Sequence, residues 1–82
     1  MRKRYVPVAP NLLFSVLNDF RKYAESTNAD TLDVSDGLKL QWADRWLHVR
    51  ASNTESMIRV IAEAADATQA DALIDWALDG LR

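Results

Sequence analysis

The stretch Asp36–Ala64, DGLKLQWADRWLHVRASNTESMIRVIAEA, decides the architecture of this chain. Leu38, Leu40 and Trp42 alternate with Lys39 and Gln41, Leu47 and Val49 with His48 and Arg50, and Ile58, Val60 and Ala62 with Arg59, Ile61 and Glu63. A period of two puts each apolar set on one face of a strand and its neighbours on the other. The segment therefore reads as three strands with one buried face. Asp36-Gly37 is a hairpin turn signal before the first of them, and a tight connection around Asp44 and Arg45 leads into the second, Trp46 to Arg50. The third runs from Met57 to about Glu63. The last two make an antiparallel pair joined by Ala51 to Met57, with Arg50 and Arg59 both on its polar face.

Working outward, Leu32 and Val34 suggest one more short strand ahead of the Asp36-Gly37 turn. Upstream of it, Asn11 is placed to cap a helix at about Asn11 to Glu25, in which Leu12, Leu13, Val16, Leu17, Phe20 and Tyr23 form one apolar stripe. The polar run Ser26 to Asp30 ends it. Downstream, Thr68 with Asp71 resembles a capping box for a final helix whose inward stripe is Leu73, Trp76, Ala77 and Leu81. Two amphipathic helices need a sheet face to cover. The expected fold is α+β, a two-layer, four-stranded antiparallel sheet with both helices on one face, in the order α-β-β-β-β-α. Residues 1–10 read as a terminal segment or linker and residues 11–82 as a single domain.

Composition restricts the functions open to such a domain. Of 82 residues, 49% are hydrophobic and 27% charged, which is ordinary for a globular chain. At this size only about 60% of the unfolded surface can be buried, so stability is modest. A formal net charge of −2 lacks the basic field of a general nucleic-acid binder. There is no cysteine, which removes disulfide and thiolate chemistry, and the one histidine, His48, cannot make a zinc site by itself. No stretch approaches the roughly 20 apolar residues of a membrane span, and no signal peptide follows the basic Met1 to Arg4. A cytoplasmic protein is expected, with no partnership with membrane or nucleic acid.

The chemistry concentrates in Arg50–Arg59, RASNTESMIR. Guanidinium forks match phosphate oxygens, and serine, threonine and asparagine side chains with nearby backbone N–H groups can fill the remaining acceptor positions. The segment reads as an anion cradle. The competing reading is a polar hairpin connection with solvated arginines, because the same short polar residues favour turns.

The order RASNTE, with a second arginine nine positions after the first, resembles the phosphate-binding loop in the C-terminal domain of the alpha-D-phosphohexomutases, which include phosphomannomutases, phosphoglucomutases and phosphoglucosamine mutases. The resemblance runs from about Leu32 to the C-terminus and reaches the first helix only loosely. It implies a TBP-like fold and assigns the substrate's phosphate to Arg50, Ser52, Asn53, Thr54 and Arg59. Glu55 also matches, but a carboxylate is not expected to touch phosphate. Ser56 departs from the family pattern, which usually has proline there, so the loop gains a backbone donor and loses a fixed φ. Ala51 and Asn53 look more like the phosphomannomutase and phosphoglucomutase branch than the phosphoglucosamine branch.

By that resemblance the chain is one domain of a larger enzyme that moves a phosphoryl group between the 1 and 6 positions of a mannose or glucose phosphate. Its catalytic serine and its Mg2+ would lie in preceding domains. No catalytic residue, metal site or bound cofactor is then expected here, and the isolated domain should be inactive. The other class of reading is a stand-alone protein- or RNA-interaction module using the sheet face of Trp46, His48, Ile61 and Met57. His48 as a general base lacks a visible partner, and Asp33, Asp36 and Asp44 sit where aspartate is common in turns.

Overall fold

Leu38, Leu40, Leu47, Val49, Ile58, Val60 and Ala62 are all buried in the computed structural model, which describes residues 1–35, 37–52 and 54–81. They stand on one face of an antiparallel sheet of five strands: β1 (Arg2–Pro7), β2 (Thr31–Asp33), β3 (Leu38–Gln41), β4 (Trp46–Ser52) and β5 (Met57–Glu63). The spatial order is β1-β5-β4-β3-β2. Alternation along β3, β4 and β5 thus gives the register that the sequence implies, with Leu40 opposite Leu47 and Val49 opposite Val60.

The fifth strand corrects the expected count of four. Arg2–Pro7, anticipated as part of a terminal segment or linker, pairs along its whole length with β5, from Arg2 opposite Ala62 to Pro7 opposite Met57. RKRYVP carries three basic residues and little apolar alternation, which is why it reads as a tail. An edge strand tolerates that composition, because one side needs no partner and charge there discourages pairing with other chains. Arg2 also reaches the second helix, with its Nε 3.2 Å from an Asp71 carboxylate oxygen.

The first helix, α1 (Leu13–Glu25), ends where expected but starts two residues later, after a 3-10 turn at Pro10–Leu12. Asn11 lies inside that turn, and no side chain caps either start. Leu12, assigned to the apolar stripe, is half exposed for the same reason. The second helix, α2 (Ala67–Gly80), is capped by Asp66, whose carboxylate accepts from the Gln69 N–H at 2.8 Å. Thr68 is therefore within the helix. Aspartate at the cap and glutamine three positions later fit the capping pattern two residues earlier than Thr68 and Asp71 do.

Both helices contribute to one core with the inward face of the sheet: Leu13, Phe20 and Ala24 from α1, and Leu73, Ile74 and Ala77 from α2. Phe20 is fully buried, with its ring 5.8 Å from that of Tyr23 and 6.0 Å, edge-on, from that of Trp76. Tyr23 in turn donates its hydroxyl to the Trp76 carbonyl at 3.0 Å. Burial, helped by the charge of Asp79, raises the Tyr23 phenol above its usual pKa. Gly80 packs flat against the Tyr23 ring, where any Cβ would collide. The α1–α2 contact is thus an aromatic one and depends on a residue without a side chain.

Candidate functional site

β4 and β5 are neighbours in the interior of the sheet, and their pairing continues to Ser52 opposite Met57. The connection expected over Ala51 to Met57 is consequently only residues 53–56. At its base, Arg50 and Arg59 occupy directly opposed positions on the outward face. Like charges placed opposite each other across two strands repel, by up to about 1 kcal/mol. An anion between or above them would reverse that sign.

Arg50, Ala51, Ser52, Thr54 and Arg59 line a hollow of about 220 Å³ over this end of the hairpin. Four of the five residues assigned to phosphate therefore converge on one space; the fifth, Asn53, lies outside the described residues. Ser52 Oγ and Thr54 Oγ1 stand 3.5 Å apart, so their hydroxyls face a common region. The hollow is lined by two guanidiniums and two hydroxyls, a donor set suited to an oxyanion.

Two contacts are not encoded by any pattern in the sequence. Glu55 Oε1 lies 3.0 Å from Arg59 Nη2, while Arg59 Nε is buried and has no hydrogen-bond partner among the described residues. The i, i+4 spacing of Glu55 and Arg59 is a sequence signal for such a pair only on a helix, and here a turn brings them together. Gly37 is the second case. It adopts φ +73°, and a Cβ there would stand 2.6 Å from the Val49 carbonyl oxygen and 3.2 Å from Arg50 Cα, so the β2–β3 turn closes tightly against the base of Arg50. The other half of that turn signal, Asp36, lies outside the described residues.

Ser56 has φ 50°, the left-handed region, and its carbonyl accepts from the Val8 N–H at 3.0 Å. Proline is locked near −65° and cannot adopt that conformation. Ser56→Gly should stabilise the domain by about 0.5–1 kcal/mol, because glycine occupies this region without Cβ strain. Ser56→Pro should cost about 2 kcal/mol or more. Paired thermal melts test this, since 1 kcal/mol moves the midpoint of a domain this size by about 4–8 °C. A proline variant as stable as the parent would show that the loop takes another path.

Farther along the outward face, Trp46 is held by its neighbours. Trp46 donates Nε1–H to Glu63 at 3.1 Å, and the Lys39 ammonium lies 5.1 Å from the Trp46 ring centroid. With His48, Asp33 and Ser35, Lys39 and Trp46 border a second hollow of about 250 Å³. Asp33 accepts from the hydroxyl and the backbone N–H of Ser35, which holds its carboxyl below the usual range. Trp46, His48 and Ile61 are half-buried rather than a bare aromatic platform. Among the described residues there is no group of three or more histidine, cysteine or carboxylate residues that could hold a metal ion. Nor, among them, is any helix long and apolar enough to cross a membrane.

Residues 18–79 match the family model for the phosphoglucomutase/phosphomannomutase C-terminal domain. The chain belongs to that family. A crystal structure of a phosphoglucomutase/phosphomannomutase family protein from Burkholderia thailandensis is similar in fold to this C-terminal domain, with a TM-score of 0.74 at 21% identity. The similarity covers 99% of this chain and 16% of that one. No curated protein matches in sequence. The family match encloses β2 to β5, most of α2, the second half of α1 and the whole of the Arg50–Arg59 hairpin, whereas β1 lies before it.

Proposed function

We propose that this phosphoglucomutase/phosphomannomutase C-terminal domain grips the phosphate of a mannose or glucose phosphate with Arg50, Ser52, Asn53, Thr54 and Arg59. The observation that supports this reading best is the placement of Arg50 directly opposite Arg59 at the mouth of a hollow that Ser52 and Thr54 also line. The domain then serves a larger cytoplasmic enzyme that transfers a phosphoryl group between the 1 and 6 positions of the hexose. Its preceding domains supply the nucleophile and Mg2+. This domain's own part is to bind, orient and exclude water.

Gripping the phosphate that is not being transferred lets binding energy at one end of the substrate hold the other end in place for reaction. Swinging over the bound sugar, the domain acts as a lid that removes water from the transfer step. Alone it should be catalytically inactive and bind weakly. Charge-assisted hydrogen bonds contribute roughly 1.5–3 kcal/mol each, but association and ordering of the loop cost several, leaving affinity around the millimolar range.

An amide NMR titration of the 82-residue domain with mannose 1-phosphate, glucose 1-phosphate and inorganic phosphate tests the assignment, with chloride as a control for generic anion effects. Saturable shifts are expected on residues 50–59. Shifts spread evenly over the surface and reproduced by chloride would sink it.

A further inference from the structure

The cradle already contains an anion of its own. Glu55 sits in the four-residue connection between β4 and β5, and its carboxylate accepts a hydrogen bond from the Arg59 fork, Nη2 to Oε1 at 3.0 Å. Nε of the same guanidinium is buried with no acceptor among the described residues. The fork is therefore only partly used. A ligand with two oxygens to offer would satisfy Nε and a terminal nitrogen together, which the single Glu55 oxygen does not do. To take the whole fork, the ligand must displace the carboxylate, and Glu55 is half exposed, with water at hand to receive it.

We propose that Glu55 is an intramolecular competitor for the phosphate site, a resident carboxylate that occupies Arg59 in the empty domain and leaves it when phosphate binds. The inference rests on the reading of Arg50–Arg59 as a phosphate cradle. Glu55 offsets the repulsion of the two opposed arginines while no ligand is present. It also sets a threshold: anions that bind only weakly do not hold the site against a tethered carboxylate, whereas a phosphate group, with three acceptor oxygens and up to two charges, does. Glu55 thereby acts as a specificity-determining residue without touching the bound phosphate.

Glu55→Gln keeps the shape and removes the charge. Exposed ion pairs are weak, so the variant should bind inorganic phosphate about two- to fivefold more tightly than the parent domain, measured by NMR titration at about 0.15 M salt. Glu63→Gln is the control for a general loss of negative charge. Glu63 bonds Trp46 and stands four residues, or about 13 Å, along β5 from Arg59, beyond the screening length of about 8 Å at that salt. Its replacement should leave phosphate affinity unchanged. An unchanged or weakened affinity in Glu55→Gln, or an equal gain in Glu63→Gln, overturns the proposal. Weakening would mean that Glu55 positions Arg59 for the ligand. If neither the parent nor Glu55→Gln shows phosphate-dependent shifts in residues 50–59, the cradle reading itself falls and takes this one with it.

Discussion

Replacing Arg59 with alanine, in the enzyme that carries this domain, is expected to lower kcat/KM for the hexose phosphate about a hundredfold, and Arg50→Ala should do much the same. A guanidinium that binds phosphate through two charge-assisted hydrogen bonds, each contributing roughly 1.5–3 kcal/mol, leaves at least about 2.7 kcal/mol to lose, or a factor of about a hundred. Folding should hardly change. Arg50 is exposed, Arg59 is half exposed, and removing either one relieves a like-charge pair across the strands. Lysine at either position should recover only part of the loss, because an ammonium supplies charge without the fork. Steady-state kinetics on both alanine variants decides the matter: wild-type kcat/KM in both would end the phosphate assignment.

The largest effect on stability is expected at Phe20. It is fully buried, and its ring packs on Tyr23 of the same helix and edge-on against Trp76 of α2. Truncation of a buried phenylalanine to alanine typically costs about 3–5 kcal/mol, part lost transfer energy and part the cavity left behind. A domain of this length has about 4–12 kcal/mol in total at the usual 0.05–0.15 per residue. Phe20→Ala should therefore remove at least about a quarter of that total, and chemical denaturation should show a midpoint shift with little change in slope. A cost under about 1 kcal/mol would mean that the helices can close over the gap without the ring.

Much of this fold is legible in the sequence because burial on one side imposes a period of two. Leu38 to Gln41, Trp46 to Arg50 and Met57 to Glu63 alternate without a break, and a shift of one residue in any of them would turn its apolar set outward. That alternation by itself commits Arg50 and Arg59 to one face. β1 is hidden for the opposite reason: Arg2, Lys3 and Arg4 have no apolar alternation to display, and their pairing is decided by the free edge of β5 rather than by their own side chains. The helix starts differ from their sequence signals through local competition, as Asn11 sits in a 3-10 turn and Asp66 precedes the Thr68 pattern. The Glu55–Arg59 contact and the left-handed Ser56 depend on how four residues turn, and neither periodicity nor composition encodes that path.

Because β4 and β5 lie inside the sheet, each is paired on both sides, and the edges β1 and β2 are the places where thermal opening starts. Fraying there leaves the distance between Arg50 and Arg59 intact. The two arginines are mounted on the part of the molecule that opens last, so their spacing survives until the whole domain comes apart. Of the described residues between the two strands, only 54–56 are left to adjust. Such a site has a rigid frame and a yielding rim: it does not wear away by degrees on heating but is lost together with the fold, in a single step.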